Sequence, residues 1–489
     1  MKFLFRDIKN HAIFSLLAGL ASGLYPILFY YSNNFALVNS WEHLNYFLFF
    51  FLLLPVSGFF LIFQLFNLPF LKKWQKYVLP FLAVFVFLFL MKVCLYSGFQ
   101  KEIVGVIFCL SVILSFLFYK HLKKIVIFQF LLAIIGVYTV TNTLISQANF
   151  SEEWKKPTDA ISQALFKKKP NIYFIQPDGL VNFSELKKGK YEFDNSYFEN
   201  YLIEKGFKNY ANFRSNYAST LSTNSSVFMM KHHFYNKGLS FSEGVDARDV
   251  IISHNTVLTT LQNNGYKTHF ISEEPYFLIN RPQISYDYCN FNFDEIGFIT
   301  KGFGFQKDIL KEVDTVLSFT EAKPKFFFIE FFNPGHIKGS KETSRGSKKE
   351  REAWFESLQT ANYKLEHLIN SILTIDPEAL IMIMADHGGF VGMEYTNQIY
   401  EKTQDRDIIY SIFSSQLSIH WPNNEVPKID ENFKSSVNVF RILFSYLSEN
   451  NAYLKNLEPD ESYVIINKGA PKGVYQYINT EGNIVFKKH

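Results

Sequence analysis

Ile381-Met382-Ile383-Met384-Ala385-Asp386-His387-Gly388-Gly389 is an apolar run of strand length that stops at an acid, a histidine and two glycines. A second stretch, Asn171-Ile172-Tyr173-Phe174-Ile175-Gln176-Pro177-Asp178-Gly179, has the same form. Short apolar runs bounded by turn residues read as strands buried on both faces. In open α/β sheets the carboxyl ends of parallel strands are where ligands collect. At one such rim Asp178, Asp386 and His387 would offer two carboxylates and an imidazole to a divalent cation. With a hydroxyl-rich segment between the two motifs, this geometry points to metal-assisted attack on a phosphorus or sulfur ester.

Outward from these motifs, strands alternate with helices. Ile172–Gln176, Lys267–Ser272, Phe326–Phe332, Leu380–Ala385 and Ser415–Trp421 read as strands. Ser196–Lys205, Ser225–Tyr235, Thr256–Asn264, Arg351–Leu373 and Val437–Glu449 read as helices. The alternation predicts an α/β three-layer sandwich around a mostly parallel sheet. The last stretch, 462–489, fits a small antiparallel β appendage.

Upstream the composition changes. Residues 1–145 are mostly apolar and aromatic, with runs over 11–31, 45–66, 78–98, 103–119 and 125–145. Each approaches the roughly 20 residues that span the hydrocarbon core, which predicts an α-helical membrane domain of five spans. Lys2, Arg6 and Lys9, then Lys72, Lys73 and Lys76, then Lys120, Lys123 and Lys124 fall in alternate loops. The positive-inside rule then places the N-terminus in the cytoplasm and everything after the fifth span outside. Residues 146–169 read as a linker or juxtamembrane helix, with Trp154 either near the headgroups or packed on the following domain, and 170–489 as an extracytoplasmic catalytic domain. Cys289 is the one cysteine of that domain, so no disulfide forms within it. The net charge of +4 gives no nucleic-acid signal.

Ser219-Thr220-Leu221-Ser222-Thr223-Asn224-Ser225 is crowded with hydroxyls ahead of an apolar helix. Such residues are ordinary helix N-caps, or one of them is a nucleophile placed where helix N–H groups hold an anion. Ser219, Thr220, Ser222 and Thr223 compete for that role. Glu330 ends its strand near the same rim, His232 and His233 lie farther along the helix, and His420 sits on an apolar strand.

Asp178 after the first strand, the Ser219–Met230 segment, Asn333-Pro334-Gly335-His336 and Asp386-His387-Gly388 follow the order found in the alkaline phosphatase superfamily. With its apolar N-terminal third, the chain resembles that superfamily's membrane-bound branch: lipoteichoic acid synthases, phosphoethanolamine transferases and related sulfatase-like proteins. The resemblance implies Thr220 as nucleophile and Asp178, Thr220, Asp386 and His387 as ligands of one divalent ion, zinc or manganese with magnesium also possible. It implies His336 as a contact of the substrate phosphate. It further implies transfer of a phosphoethanolamine- or phosphoglycerol-type group from a membrane phospholipid to a glycan or lipid acceptor through phosphothreonine, in the cell membrane. The alternatives are an ester hydrolase of the same superfamily and a catalytically idle membrane scaffold. Sulfatases carry a cysteine or serine in a Cys-x-Pro-x-Arg pattern. Thr220-Leu221-Ser222-Thr223-Asn224 has neither the proline nor the arginine.

Overall fold

Phe326, Phe327, Phe328 and Ile329 are all fully buried, so alternate residues of one strand face opposite apolar layers. A computed structural model describes residues 2–96, 100–237, 244–319 and 324–489, and residues 97 and 98 of the expected third span lie outside these. The chain divides into two units, one of Met1–Asn149 with Ile279–Arg281 and Gly297–Lys301, the other of the remaining residues.

The first unit is helical: α1 (Lys2–Val38), α2 (Trp41–Phe47) continuing through a π-helical turn into α3 (Leu54–Leu65), α4 (Gln75–Leu95), α5 (Lys101–Phe118) and α6 (Leu122–Ala148). Among the described residues, four stretches are long and apolar enough to cross a membrane, rather than the five expected: His11–Val38, Trp41–Leu65, Lys72–Leu95 and Lys101–Ala148. The difference arises because α5 and α6 are joined only by a 3-10 turn, Tyr119–His121. The backbone leaves helical angles at Phe118 (φ -111°, ψ 12°) and His121 (φ -109°, ψ 13°), so the fourth stretch holds two helices, α5 of 18 residues and α6 of 27. Within the bundle, a Cβ on Gly23 would stand 1.6 Å from the Phe51 carbonyl oxygen, so α1 meets the second stretch backbone to backbone.

The expected helix over 146–169 is instead two 3-10 turns, Glu153–Lys155 and Ala160–Gln163, on either side of Pro157. Trp154 is buried against Met229 and Val250.

The second unit contains β1 (Ile172–Pro177), α7 (Phe183–Leu186), α8 (Ser196–Glu204), β2 (Phe207–Asn209), α9 (Thr220–Met229), α10 (Ala247–Ile252), α11 (Thr256–Asn263) and β3 (Lys267–Ser272). It continues with β4 (Tyr288–Cys289), α12 (Ile309–Leu317), β5 (Lys325–Phe331), α13 (Ser347–Ile375), β6 (Leu380–Met384), α14 (Arg406–Phe413), β7 (Leu417–His420) and α15 (Val439–Ser448). Three antiparallel strands follow: β8 (Ser462–Ile466), β9 (Gly473–Ile478) and β10 (Ile484–Lys488).

The main sheet has seven strands in the order β2-β7-β6-β1-β5-β3-β4. Its pairings are parallel from β6 to β4, whereas β7 runs antiparallel to both β6 and β2. The sheet is therefore mixed: four of its six pairings are parallel and the two made by β7 are antiparallel. The cause lies in α14, whose end sits at the rim where β6 stops: the Gly388 N–H donates to Ile412 and the Ala385 N–H to Gln416. A strand that starts at that rim has to run back down the sheet. One face packs Tyr173, Ile175, Phe327 and Ile383 against α12, α13 and α14, and the other packs Phe174, Phe328 and Met382 against α9, α11 and α15.

Candidate metal centre at the rim of the sheet

Asp178 follows β1 directly, and its backbone is held from two sides. Its N–H donates to the Phe331 carbonyl at 3.0 Å, and its own carbonyl accepts from Gly335 at 2.8 Å. Gly179 has φ +69°, and a Cβ there would lie 2.0 Å from the Gly335 oxygen. Glycine is required for both reasons. Two residues beyond β6, Asp386 accepts the Gly179 N–H on Oδ1 at 3.1 Å, which ties the two strand ends together.

Ligand atoms of Asp178, Asp386 and His387 all lie within 4.8 Å of one another, and all three residues are buried. His387 Nε2 stands 3.4 Å from Asp178 Oδ1 and 3.2 Å from Asp386 Oδ2. Its Nδ1 lies 2.8 Å from the Gly388 carbonyl oxygen, which can only accept, so Nδ1 carries the proton of the neutral ring and Nε2 is the free donor atom. Asp178 Oδ1 and Asp386 Oδ2 are buried and accept no hydrogen bond. Burial and the adjacent Asp386 carboxylate push the Asp178 carboxyl up to about 7, His387 pulling the other way. Burial disfavours the His387 imidazolium, but the two aspartates outweigh it and hold the group above its ordinary value.

Buried carboxylate oxygens without donors are costly unless a cation or proton meets them. The donor set is two carboxylates and one imidazole nitrogen, with a hydroxyl beside them. These residues fit a divalent cation.

The hydroxyl is Thr220, whose Oγ1 lies 3.4 Å from His387 Nε2. The helix expected from Ser225 begins five residues earlier, with Ser219 as N-cap in extended conformation, and Thr220 is the first residue of α9. Thr223 Oγ1 donates to the Tyr217 carbonyl at 3.0 Å, so it is committed to the fold. Ser219 Oγ and Ser222 Oγ are buried without partners, and neither is hydrogen-bonded to the cluster.

The other histidines separate clearly. The His336 ring centroid is 6.0 Å from that of His387, and its Nδ1 lies 2.7 Å from the Ile337 carbonyl oxygen. His232 and His233 each have both ring nitrogens engaged within the fold: with Tyr217 and Pro459, and with Tyr235 and Ser222. His420 is buried with Nδ1 against the Ala379 carbonyl, at the opposite end of the sheet. Glu330 is fully buried, with Oε2 accepting from Ser272 at 3.3 Å and Oε1 without a partner. Burial, with Asp178 and Asp386 nearby, holds its carboxyl well above the usual range. Two supports had no signal in the sequence. Trp354 Nε1 donates to the Gly335 carbonyl at 2.9 Å, and the Tyr191 hydroxyl accepts from Gly389 at 2.9 Å.

The sulfatase family profile matches residues 193–448, just over half of the chain. No curated protein matches it in sequence. Among solved structures, the C-terminal periplasmic domain of EcEptC from Escherichia coli is similar at 11% identity and a TM-score of 0.43, covering 67% of this chain and 95% of that one. The integral membrane lipooligosaccharide phosphoethanolamine transferase A of Neisseria meningitidis gives 11% and 0.42, over 89% and 95% of the two chains. The lipoteichoic acid synthase LtaP of Listeria monocytogenes gives 12% and 0.41, over 67% and 91%.

Proposed function

The chain belongs to the sulfatase family, and from that premise we propose that it is a membrane-anchored, metal-dependent phosphotransferase acting outside the cytoplasm. The observation that carries this reading is the buried Asp178, Asp386 and His387 cluster with the Thr220 hydroxyl at its edge. Asp178, Asp386, His387 and Thr220 would hold one zinc or manganese ion. When bound, such an ion supplies Lewis acidity to the hydroxyl and to a phosphoryl oxygen.

The protein's own groups do the rest. Thr220 Oγ1 gives up its proton and bonds to the phosphorus of a membrane phospholipid, the bond from phosphorus to the diacylglycerol oxygen breaks, and that oxygen takes up the proton as diacylglycerol leaves. The acceptor hydroxyl of a glycan or lipid then loses its proton and bonds to phosphorus, and the threonine oxygen departs with that proton. Thr220 heads α9, where the first N–H groups have no intrahelical acceptor and favour the phosphoryl charge. His336, whose ring centre is 6.0 Å from that of His387, contacts the substrate phosphate.

Topology supports the assignment of side. Lys120, Lys123 and Lys124 mark the cytoplasmic start of α6. Its 27 residues reach about 40 Å, enough to carry the chain out of the cytoplasm. The detergent-solubilised chain, incubated with Zn²⁺ or Mn²⁺, a fluorescent phospholipid and candidate acceptors, should release diacylglycerol and label an acceptor. Release with water as the sole acceptor identifies a hydrolase, and no release with any ion refutes the enzymatic reading.

A further inference from the structure

Gln176 and Asn224 are both fully buried and exchange two hydrogen bonds. Gln176 Nε2 donates to Asn224 Oδ1 at 2.8 Å, and Asn224 Nδ2 donates to Gln176 Oε1 at 2.7 Å. The pair lies on the face of the sheet that otherwise packs Phe174, Phe228 and Phe328. Apolar side chains would fill such a place without any polar group to satisfy.

The positions of the two amides explain the choice. Gln176 is two residues before Asp178, and Asn224 is four residues after Thr220. Two strand residues span about 6.6 Å and four helical residues about 6 Å, and in each case the separation returns to the same face of its element. The pair thus joins β1 to α9 with lever arms of nearly equal length, ending at Asp178 on one side and Thr220 on the other. Aliphatic contacts tolerate a slide of the helix by a fraction of a turn. A reciprocal amide pair does not, because sliding leaves two buried donors and two buried acceptors unmet.

We propose that the Gln176–Asn224 pair is a positioning device that fixes how far Thr220 stands from the Asp178, Asp386 and His387 cluster, resting on the proposed role of Thr220. The two amides bond each other, and the pair acts through the two residues it sets.

The test compares three forms of the detergent-solubilised full chain: wild type, the double variant Gln176→Leu with Asn224→Leu, and the exchange Gln176→Asn with Asn224→Gln. Zn²⁺ affinity, melting temperature, and kcat and KM on bis(4-nitrophenyl) phosphate are measured for each. The double leucine form orphans no polar group, so it should melt within a few degrees of wild type. Its kcat should fall tenfold or more with KM within twofold, and the exchanged pair should restore most of the loss. A double leucine form with wild-type kcat overturns the proposal, as does a loss confined to melting temperature. A wild-type chain that neither binds Zn²⁺ nor cleaves the ester refutes the functional reading instead. The pair is then decided in the metal-free chain by hydrogen exchange. Faster exchange of peptides covering residues 219–227 in Asn224→Leu supports it, and unchanged exchange overturns it.

Discussion

Burial and the neighbouring Asp386 push Asp178 up to about 7, His387 also stands above its ordinary value, and Glu330 well above the usual carboxyl range. Each group therefore binds its proton more tightly folded than unfolded. Their contribution is complete below the unfolded values, near 4 for carboxyls and 6.5 for histidine, and it is lost as pH rises through the folded ones. The metal-free protein should lose melting temperature as pH climbs from about 4 past 7, and added Zn²⁺ should flatten the decline; thermal scans with and without chelator check this. Asp386→Asn should weaken Zn²⁺ by more than the roughly 10–100-fold that an outer-shell partner is worth, measured by calorimetry. At this scale the clustering of Asp178, Asp386 and His387 was legible in the sequence, because an acid directly after an apolar strand has one place to go. The hydroxyl was not. Ser219, Thr220, Ser222 and Thr223 differ only in where the first helical turn begins, and a run of hydroxyl residues does not fix that point.

Three elements carry the site, the ends of β1 and β6 and the start of α9, and the β1 end and the α9 start each make a distinct prediction. Gly179→Ala puts a methyl 2.0 Å from the Gly335 carbonyl at positive φ, and strain of that kind costs roughly 1–3 kcal/mol. Denaturant unfolding should show at least that loss, together with lost Zn²⁺ binding. Ser219→Ala should cost less than the ~1 kcal/mol usual for an N-cap, since no cap bond is made by that side chain. The same measurement checks it. Strand and helix identities were largely readable from periodicity. The direction of β7 was not, since it depends on where α14 leaves the chain, and no four-residue apolar run encodes its own direction.

For the molecule as a whole, the division between an apolar first third and a mixed remainder was plain in composition alone. The number of membrane-length stretches was not, because the short turn Tyr119–His121 joins α5 and α6 into one continuous apolar stretch. The charge pattern predicts a topology. In intact cells a cysteine placed at exposed Asn483 should react with a membrane-impermeant maleimide, and one placed at exposed Lys124 should not. The reverse pattern would put the catalytic unit in the cytoplasm and remove access to an outer-leaflet donor.

The central claim is that Thr220 receives the phosphoryl group. Intact mass of the solubilised chain after incubation with phospholipid and Zn²⁺ or Mn²⁺, followed by peptide mapping, reads it directly. The expected result is a phosphoethanolamine or phosphoglycerol adduct on Thr220 that disappears in Thr220→Ala. An adduct on Ser219 or Ser222 that survives Thr220→Ala, or diacylglycerol release with no adduct on any residue, would contradict it.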